Sequence, residues 1–177
     1  MNPKIQSVLR ELEKTQEGFW NIKHKDGELL SLLINISGAK RVLELGTSNG
    51  YSTIWMAETG AEVITMEKWQ ERIEEARKNF EKAGVRVQII EGDMLENIPK
   101  LEGKFDFVFI DTKKKEYINC LKLLKGKLAE KAVVVAHNVI NRKEKLQEYL
   151  DFVKANFESV TIPTSDEGIE VTLVEKF

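Results

Sequence analysis

Residues 41–52 read Arg-Val-Leu-Glu-Leu-Gly-Thr-Ser-Asn-Gly-Tyr-Ser. A short apolar run, interrupted by Glu44, breaks into a turn bounded by Gly46 and Gly50, and Ser52 falls where a helix should begin. Such a turn can do chemistry. Glycine lets the backbone approach a ligand closely, and a helix start offers unpaired N–H groups. The spacing narrows the ligand. A phosphate loop needs four residues between its glycines, then Lys-Ser or Lys-Thr. Here Thr47-Ser48-Asn49 separates the glycines and Tyr51 stands in place of the lysine. The dinucleotide fingerprint Gly-x-Gly-x-x-Gly fails at Ser48. A carboxylate at Glu44 would repel a pyrophosphate and suits a cation. The expected ligand is positively charged and free of phosphate; the alternative is an ordinary strand–helix turn with no ligand.

The run from Glu44 to Ser52 resembles the first motif of class I S-adenosylmethionine-dependent methyltransferases. It is most similar to the small O-methyltransferases of the catechol and caffeoyl-CoA type. The resemblance runs from about Gly27 to the C-terminus. In that family the loop wraps the methionine part of the cofactor, whose sulfonium and ammonium are both cationic. The resemblance therefore implies that Glu44, Gly46, Ser48, Gly50 and Ser52 hold the methionine end of S-adenosyl-L-methionine.

Four further stretches fall at predicted strand ends, where ligands of open α/β sheets bind. Glu67 follows a strand over 61–66, roughly twenty residues past the glycine turn. It suits a pair of ribose hydroxyls, because a carboxylate accepts two hydrogen bonds; the alternative is a surface glutamate opening the next helix. Gly92-Asp93 follows a strand over 86–90. The resemblance places this pair beside the adenine, where Asp93 accepts the exocyclic amine or only caps a short helical turn. Asp111 ends a strand over 105–110, and His137-Asn138 ends one over 132–136.

The family resembled here uses magnesium, held by an Asp after the fourth strand and an Asp-Asn pair after the fifth, while a Lys assists deprotonation of the acceptor. Asp111 matches the first ligand and borders the cofactor, Lys114 matches the lysine, and Asn138 matches the asparagine. His137 stands where the family has aspartate. Magnesium prefers oxygen ligands and negative charge, and this change removes one of each. Asp111, His137 and Asn138 would still suit manganese, iron or zinc. Otherwise His137 is the general base, or a structural histidine bonded to Asp111. The lysines at 113–115 are either solvated helix-start charge or a contact for a phosphate-bearing acceptor.

The elements that must carry these residues are legible as periodicity. Ile5, Val8, Leu9 and Leu12 predict an amphipathic helix. Phe19 and Trp20 follow in a loop, where they seal the core or line a substrate mouth. His24 reads as solvated. Asp26 reads as the N-cap of an apolar helix that Ser37-Gly38 stops. Ile54, Trp55 and Ala57 give a short helix. Trp69, Ile73, Ala76, Phe80 and Ala83 give a longer one, with Trp69 a core residue or a face for adenine. Further helices run through Leu121 and Leu124 and along Leu146, Tyr149, Leu150 and Val153. Residues 158–162 and 169–174 read as an antiparallel pair. The alternation predicts an α/β fold: a Rossmann-like, seven-stranded, mostly parallel sheet with helices on both faces and a C-terminal antiparallel hairpin. The strand order implied by the resemblance is 3-2-1-4-5-7-6. The expected organisation is a single methyltransferase domain over 1–177, with 1–25 a helical cap and 26–177 the cofactor-binding and catalytic core.

Bulk properties bound the function. A chain of 177 residues, 42% hydrophobic and 32% charged, is a globular domain rather than a disordered one. A formal charge of -2 gives no global attraction to nucleic acid. Cys120 is the single cysteine, so no intramolecular disulfide forms and a reducing compartment is expected. The charged N-terminus is neither a signal peptide nor a membrane span, and a cytoplasmic protein is expected. The reading is O-methylation of a hydroxyl on a small, phenolic acceptor, with a homodimer as the expected assembly. Methylation of a hydroxylated tRNA base and a non-catalytic cofactor-binding module are the alternatives. Family members usually carry more N-terminal sequence, so a more open acceptor site is expected.

Overall fold

The computed structural model describes residues 2–175. Its elements alternate along the chain: α1 (Pro3–Glu13), α2 (Gln16–Phe19), α3 (His24–Ser37), β1 (Arg41–Leu45), α4 (Tyr51–Ala57), β2 (Glu62–Glu67), α5 (Gln70–Ala83), β3 (Val87–Glu91) and α6 (Met94–Asn97). There follow β4 (Phe105–Ile110), α7 (Tyr117–Leu123), β5 (Leu128–His137), α8 (Lys143–Asn156), β6 (Glu158–Ile162) and β7 (Ile169–Val174). The strands form one sheet in the order β3-β2-β1-β4-β5-β7-β6, parallel except for β7, which runs antiparallel to both β5 and β6.

The central strands are buried on both faces, which is why they read as continuous apolar runs. Leu43 and Leu45 of β1, with Val108 and Ile110 of β4, pack under α7 and α8 through Tyr117, Leu121, Leu146 and Leu150. Val42, Phe107 and Phe109 face the other way, beneath Leu9, Leu30, Ile54 and Phe80 of α1, α3, α4 and α5. Two helical layers therefore clamp the sheet and hold its strand ends in fixed register: Leu45 lies opposite Met66 and Ile110, and Glu67 lies opposite Glu91. Among the described residues, no helix is long and apolar enough to cross a membrane.

One sequence expectation needs correction, and the structure decides between the alternatives left open for Trp20 and Trp69. Asp26 is not a cap: α3 begins at His24, Lys23 is the cap residue, and Asp26 sits fully buried in the first turn. His24 is exposed, as expected, but it opens α3 instead of lying in a loop; its Nδ1 lies 2.8 Å from Glu13 Oε1, and its ring stands edge-on to Trp55 at 5.0 Å. Neither Trp20 nor Trp69 is core. Both are largely exposed and line the cleft, Trp20 with a left-handed backbone after α2 and Trp69 at the N-cap of α5. Periodicity could not separate Trp69 from the apolar stripe that follows it.

Candidate active site

The carboxyl ends of β1, β2, β4 and β5 open into a cleft of about 590 Å³. Its first wall is the turn after β1. Gly46 has φ +112°, and a Cβ there would lie 2.2 Å from the Asp111 carbonyl oxygen, so only glycine lets the turn cross the exit of β4. Ser48 fixes the turn at two points. Its N–H donates to Glu67 Oε2 at 2.9 Å, and its hydroxyl donates to the Phe19 carbonyl at 2.7 Å.

Glu44 lies beneath this turn, not in the cleft. It is fully buried and accepts hydrogen bonds from the hydroxyls of Ser52, Thr53 and Thr65. Burial pushes its carboxyl up to about 7, against the pull of those three hydroxyls. Its role is to tie β1, β2 and the start of α4 together. Gly46, Ser48 and Ser52 line the cleft, whereas Glu44, Gly50 and Gly92 do not. Gly50 instead makes room for Phe80, whose ring would meet a Cβ at 2.4 Å. Glu44 is therefore not placed to touch a ligand in the cleft, whereas Ser52, which it holds, lines it.

Glu67 lines the cleft at the end of β2. It accepts the Ser48 N–H on one oxygen and the N–H groups of Lys68 and Trp69 on the other, at 2.9 and 3.1 Å. A carboxylate has about four lone-pair sites, so acceptor capacity remains for a ligand hydroxyl. Asp93 caps α6, accepting from Leu95 N–H at 2.9 Å, and its other oxygen lies 3.6 Å from Lys68 Nζ. The Gly92 N–H donates to the Glu67 carbonyl at 2.9 Å, which fixes the β2–β3 exit.

The opposite wall gathers Asp111, Lys114, His137 and Asn138, together with residues that sequence reasoning missed. Lys114 Nζ donates to Asp111 Oδ1 at 2.9 Å and to the Tyr117 hydroxyl at 2.8 Å. Tyr117 in turn donates to the His137 carbonyl at 3.1 Å. Although burial opposes it, the charges of Lys114 and His137 hold the Asp111 carboxyl well below the usual carboxylate range. Lys113 and Lys115 are exposed, and Lys113 borders the cleft.

His137 is enclosed by carboxylates. Its Nε2 lies 3.3 Å from Asp26 Oδ2 and 3.3 Å from Glu167 Oε2. Its Nδ1 lies 3.3 Å from Asp111 Oδ2, an ion-pair approach without the alignment of a hydrogen bond. Thr164 and Ser165 donate their hydroxyls to Asp26. Burial disfavours a charged ring, but Asp111, Asp26 and Glu167 together outweigh it and hold the imidazole proton well above its ordinary range. An imidazolium has no lone pair with which to take a proton, so this ring is not poised as a general base. The set Asp111, His137 and Asn138 does not fit magnesium either. One of its three donors is an imidazole, and Lys114 already engages the Asp111 carboxylate.

Tyr117 could have been found at helical spacing from Lys114, three residues on. Glu167, in a polar loop, gave no signal. Asp26 gave a misleading one, because an acidic residue at a helix start usually serves the helix.

A doubly wound sheet with a glycine turn, an acidic strand end and a charged pair around one cleft is the architecture of the α/β folds that bind nucleoside cofactors. The chain belongs to the O-methyltransferase family, whose profile matches residues 3–174. It is 38% identical over 125 residues to a catechol O-methyltransferase of Mycobacterium tuberculosis, covering 67% of this chain and 57% of the relative. It is 35% identical over 137 residues to a catechol O-methyltransferase of Niastella koreensis, covering 72% and 62%. The chain thus matches about three fifths of the length of these curated relatives. Among solved structures, cofactor-bound Rv0187 from MTB superposes with a TM-score of 0.88 at 28% identity, covering 100% of this chain and 92% of that one. The O-methyltransferase of Bacillus cereus, solved with SAH, shares the fold with a TM-score of 0.86 at 23% identity, covering 98% and 91%.

Proposed function

We propose that this protein transfers the methyl group of S-adenosylmethionine to a hydroxyl of a small, phenolic acceptor. The observation that carries the reading is the placement of Lys114, paired with Asp111 and Tyr117, across one cleft from the Gly46–Ser52 turn. In this reading Gly46, Ser48 and Ser52 receive the methionine end of the cofactor. Glu67 takes a ribose hydroxyl, and Asp93 with Trp69 borders the adenine. The sulfonium methyl then points toward the wall of Asp111 and Lys114.

Methyl transfer is an in-line displacement: the acceptor hydroxyl first releases its proton to solvent at the open cleft, and its oxyanion then forms the new C–O bond as the S–C bond breaks, leaving S-adenosylhomocysteine. A phenol titrates near 10, so its oxyanion needs stabilisation at neutral pH. Lys114 supplies a cation at that oxygen, and Asp111 and Tyr117 fix its ammonium so that little reorganisation accompanies the reaction. The buried wall behind them excludes water. No magnesium takes part in this reading.

A second reading has an observation of its own. The cleft mouth carries Lys68, Arg72, Lys113 and Arg142 beside Trp20 and Trp69, with Arg72 stacked 4.8 Å over the Trp20 ring. Cations interleaved with aromatics suit an RNA base as acceptor, although Asp93 and Glu116 in the same lining oppose it.

Calorimetric titration with S-adenosylhomocysteine tests the central claim. Wild type should bind one equivalent, and Glu67→Ala should weaken binding about ten-fold or more through loss of the ribose contact and of the Ser48 anchor. Failure of wild type to bind would end the methyltransferase reading. A tritium-transfer assay with catechols and with tRNA carrying a hydroxylated base then separates the two acceptor classes.

A further inference from the structure

We infer that Asp26, His137 and Glu167 form a binding site for a transition-metal dication, manganese, iron or zinc, at the base of the cleft. One donor atom from each lies within 4.8 Å of the others, and His137 Nε2 is 3.3 Å from both carboxylate oxygens. Neighbouring donors bound at about 2.0–2.2 Å stand about 3.0–3.4 Å apart in octahedral or tetrahedral shells, and both contacts of His137 Nε2 already have that spacing. Two oxygens and an imidazole nitrogen favour these metals over magnesium, which selects oxygen alone.

Three further observations point to a ligand. Glu167 Oε2 is buried without a hydrogen-bond donor. Among the described residues, His137 is the only cationic partner of Asp26 and Glu167. Asp111 Oδ2 approaches the other ring nitrogen, Nδ1, at 3.3 Å. The negative charge of Asp111 beside Nδ1 favours a proton on that nitrogen, which leaves the Nε2 lone pair for the ion. Thr164 and Ser165 likewise orient Asp26. The ion takes the place of the proton that Nε2 directs at Asp26.

This set differs from the one the family resemblance implies. Asp111 becomes a support instead of a ligand, Asn138 is not needed, and the ligands come from α3, the end of β5 and the β6–β7 loop. His137 and Glu167 line the cleft, so the open coordination positions face it. There the ion would lower the pKa of a hydroxyl bound to it; that consequence rests on the methyl-transfer reading, whereas the binding site does not.

The test needs neither cofactor nor acceptor. Chelator-stripped protein is titrated with Mn2+, Zn2+ and Mg2+ by calorimetry, and thermal melting is followed in parallel. Mn2+ or Zn2+ should bind one per chain, at least about ten-fold tighter than Mg2+, and raise the melting temperature. Glu167→Gln should weaken binding about ten-fold or more, while Asn138→Ala should change it less than about two-fold. A second measurement does not depend on the Glu167 variant. In His24→Gln the only imidazole left is His137, and one equivalent of Zn2+ should shift its ring 15N resonances. Absence of stoichiometric binding, an unshifted ring, or loss of binding in Asn138→Ala but not in Glu167→Gln would each overturn the assignment.

Discussion

His137 Nε2 lies 3.3 Å from Asp26 Oδ2, although the two residues are 111 positions apart in the chain. One ends a strand and the other sits in the first turn of a helix on the face of the sheet that carries Phe109. The contact joins the N-terminal third of the chain to the cleft, and Thr164 and Ser165 extend it to the β6–β7 loop.

Asp26→Ala removes one carboxylate from a buried charged cluster and leaves two hydroxyl donors without an acceptor. The expected loss is about 3–5 kcal/mol of folding stability. Asp26→Asn keeps an acceptor for Thr164 and Ser165 and should cost less. Urea denaturation of the three proteins checks the order.

Gly46→Ala sets a methyl against the Asp111 carbonyl at a backbone angle that side chains rarely adopt. About 2 kcal/mol or more of destabilisation is expected. Because the same shift moves the Ser48 anchor, S-adenosylhomocysteine affinity should fall with it. A variant that melts and binds like wild type would show that the turn has room the structure denies.

Glu44 gives the stability a pH dependence. Its folded value is raised from 4.5 to about 7 by burial, against the hydrogen bonds from Ser52, Thr53 and Thr65. A raised carboxyl contributes stability that is complete below the unfolded value and is lost as pH climbs through the folded one. Between about pH 4.5 and 7 wild type should therefore lose on the order of 3 kcal/mol relative to Glu44→Gln, which has no proton to lose. Urea midpoints for both proteins across pH 5 to 8 isolate the difference, since other titrating groups are common to both.

Lys114→Met removes the cation placed for the acceptor oxygen while leaving the glycine turn intact. The turnover number should drop by about 10²-fold or more. Affinity for S-adenosylhomocysteine should hold within about two-fold of wild type, since Lys114 is not part of the cofactor wall proposed here. Equal losses in both would assign the residue to cofactor binding.

The strands, the C-terminal hairpin and the positions of Glu67, Asp93 and Asp111 at strand ends were legible because each rests on a local signal, whereas the strand order and the match of Lys114 followed from the family resemblance. Apolar runs mark buried strands, and ligand-facing residues sit just past the strand ends. The less legible parts are residues whose local context suits two roles. Asp26 looks like a cap because it is acidic at a helix start, yet the helix begins two residues earlier and turns Asp26 inward. Trp69 continues an apolar stripe in sequence, yet at the N-cap it stands outside the helix. Glu44 reads as a ligand contact because it precedes the glycine turn, but strand alternation directs it to the hydroxyls of Ser52, Thr53 and Thr65.

By itself, the sequence determined the α/β class, the glycine turn after β1 and the succession of polar residues at strand ends. These follow from periodicity and from what glycine alone permits. The tertiary structure decided what those residues do to one another. Only adjacency at the carboxyl edge of the sheet sets Asp26, Asp111 and Glu167 around His137, and only the closure of α4 over β1 buries Glu44. Charge and hydrogen bonding act over a few ångströms in space, and chain spacing does not record which side chains will share that space.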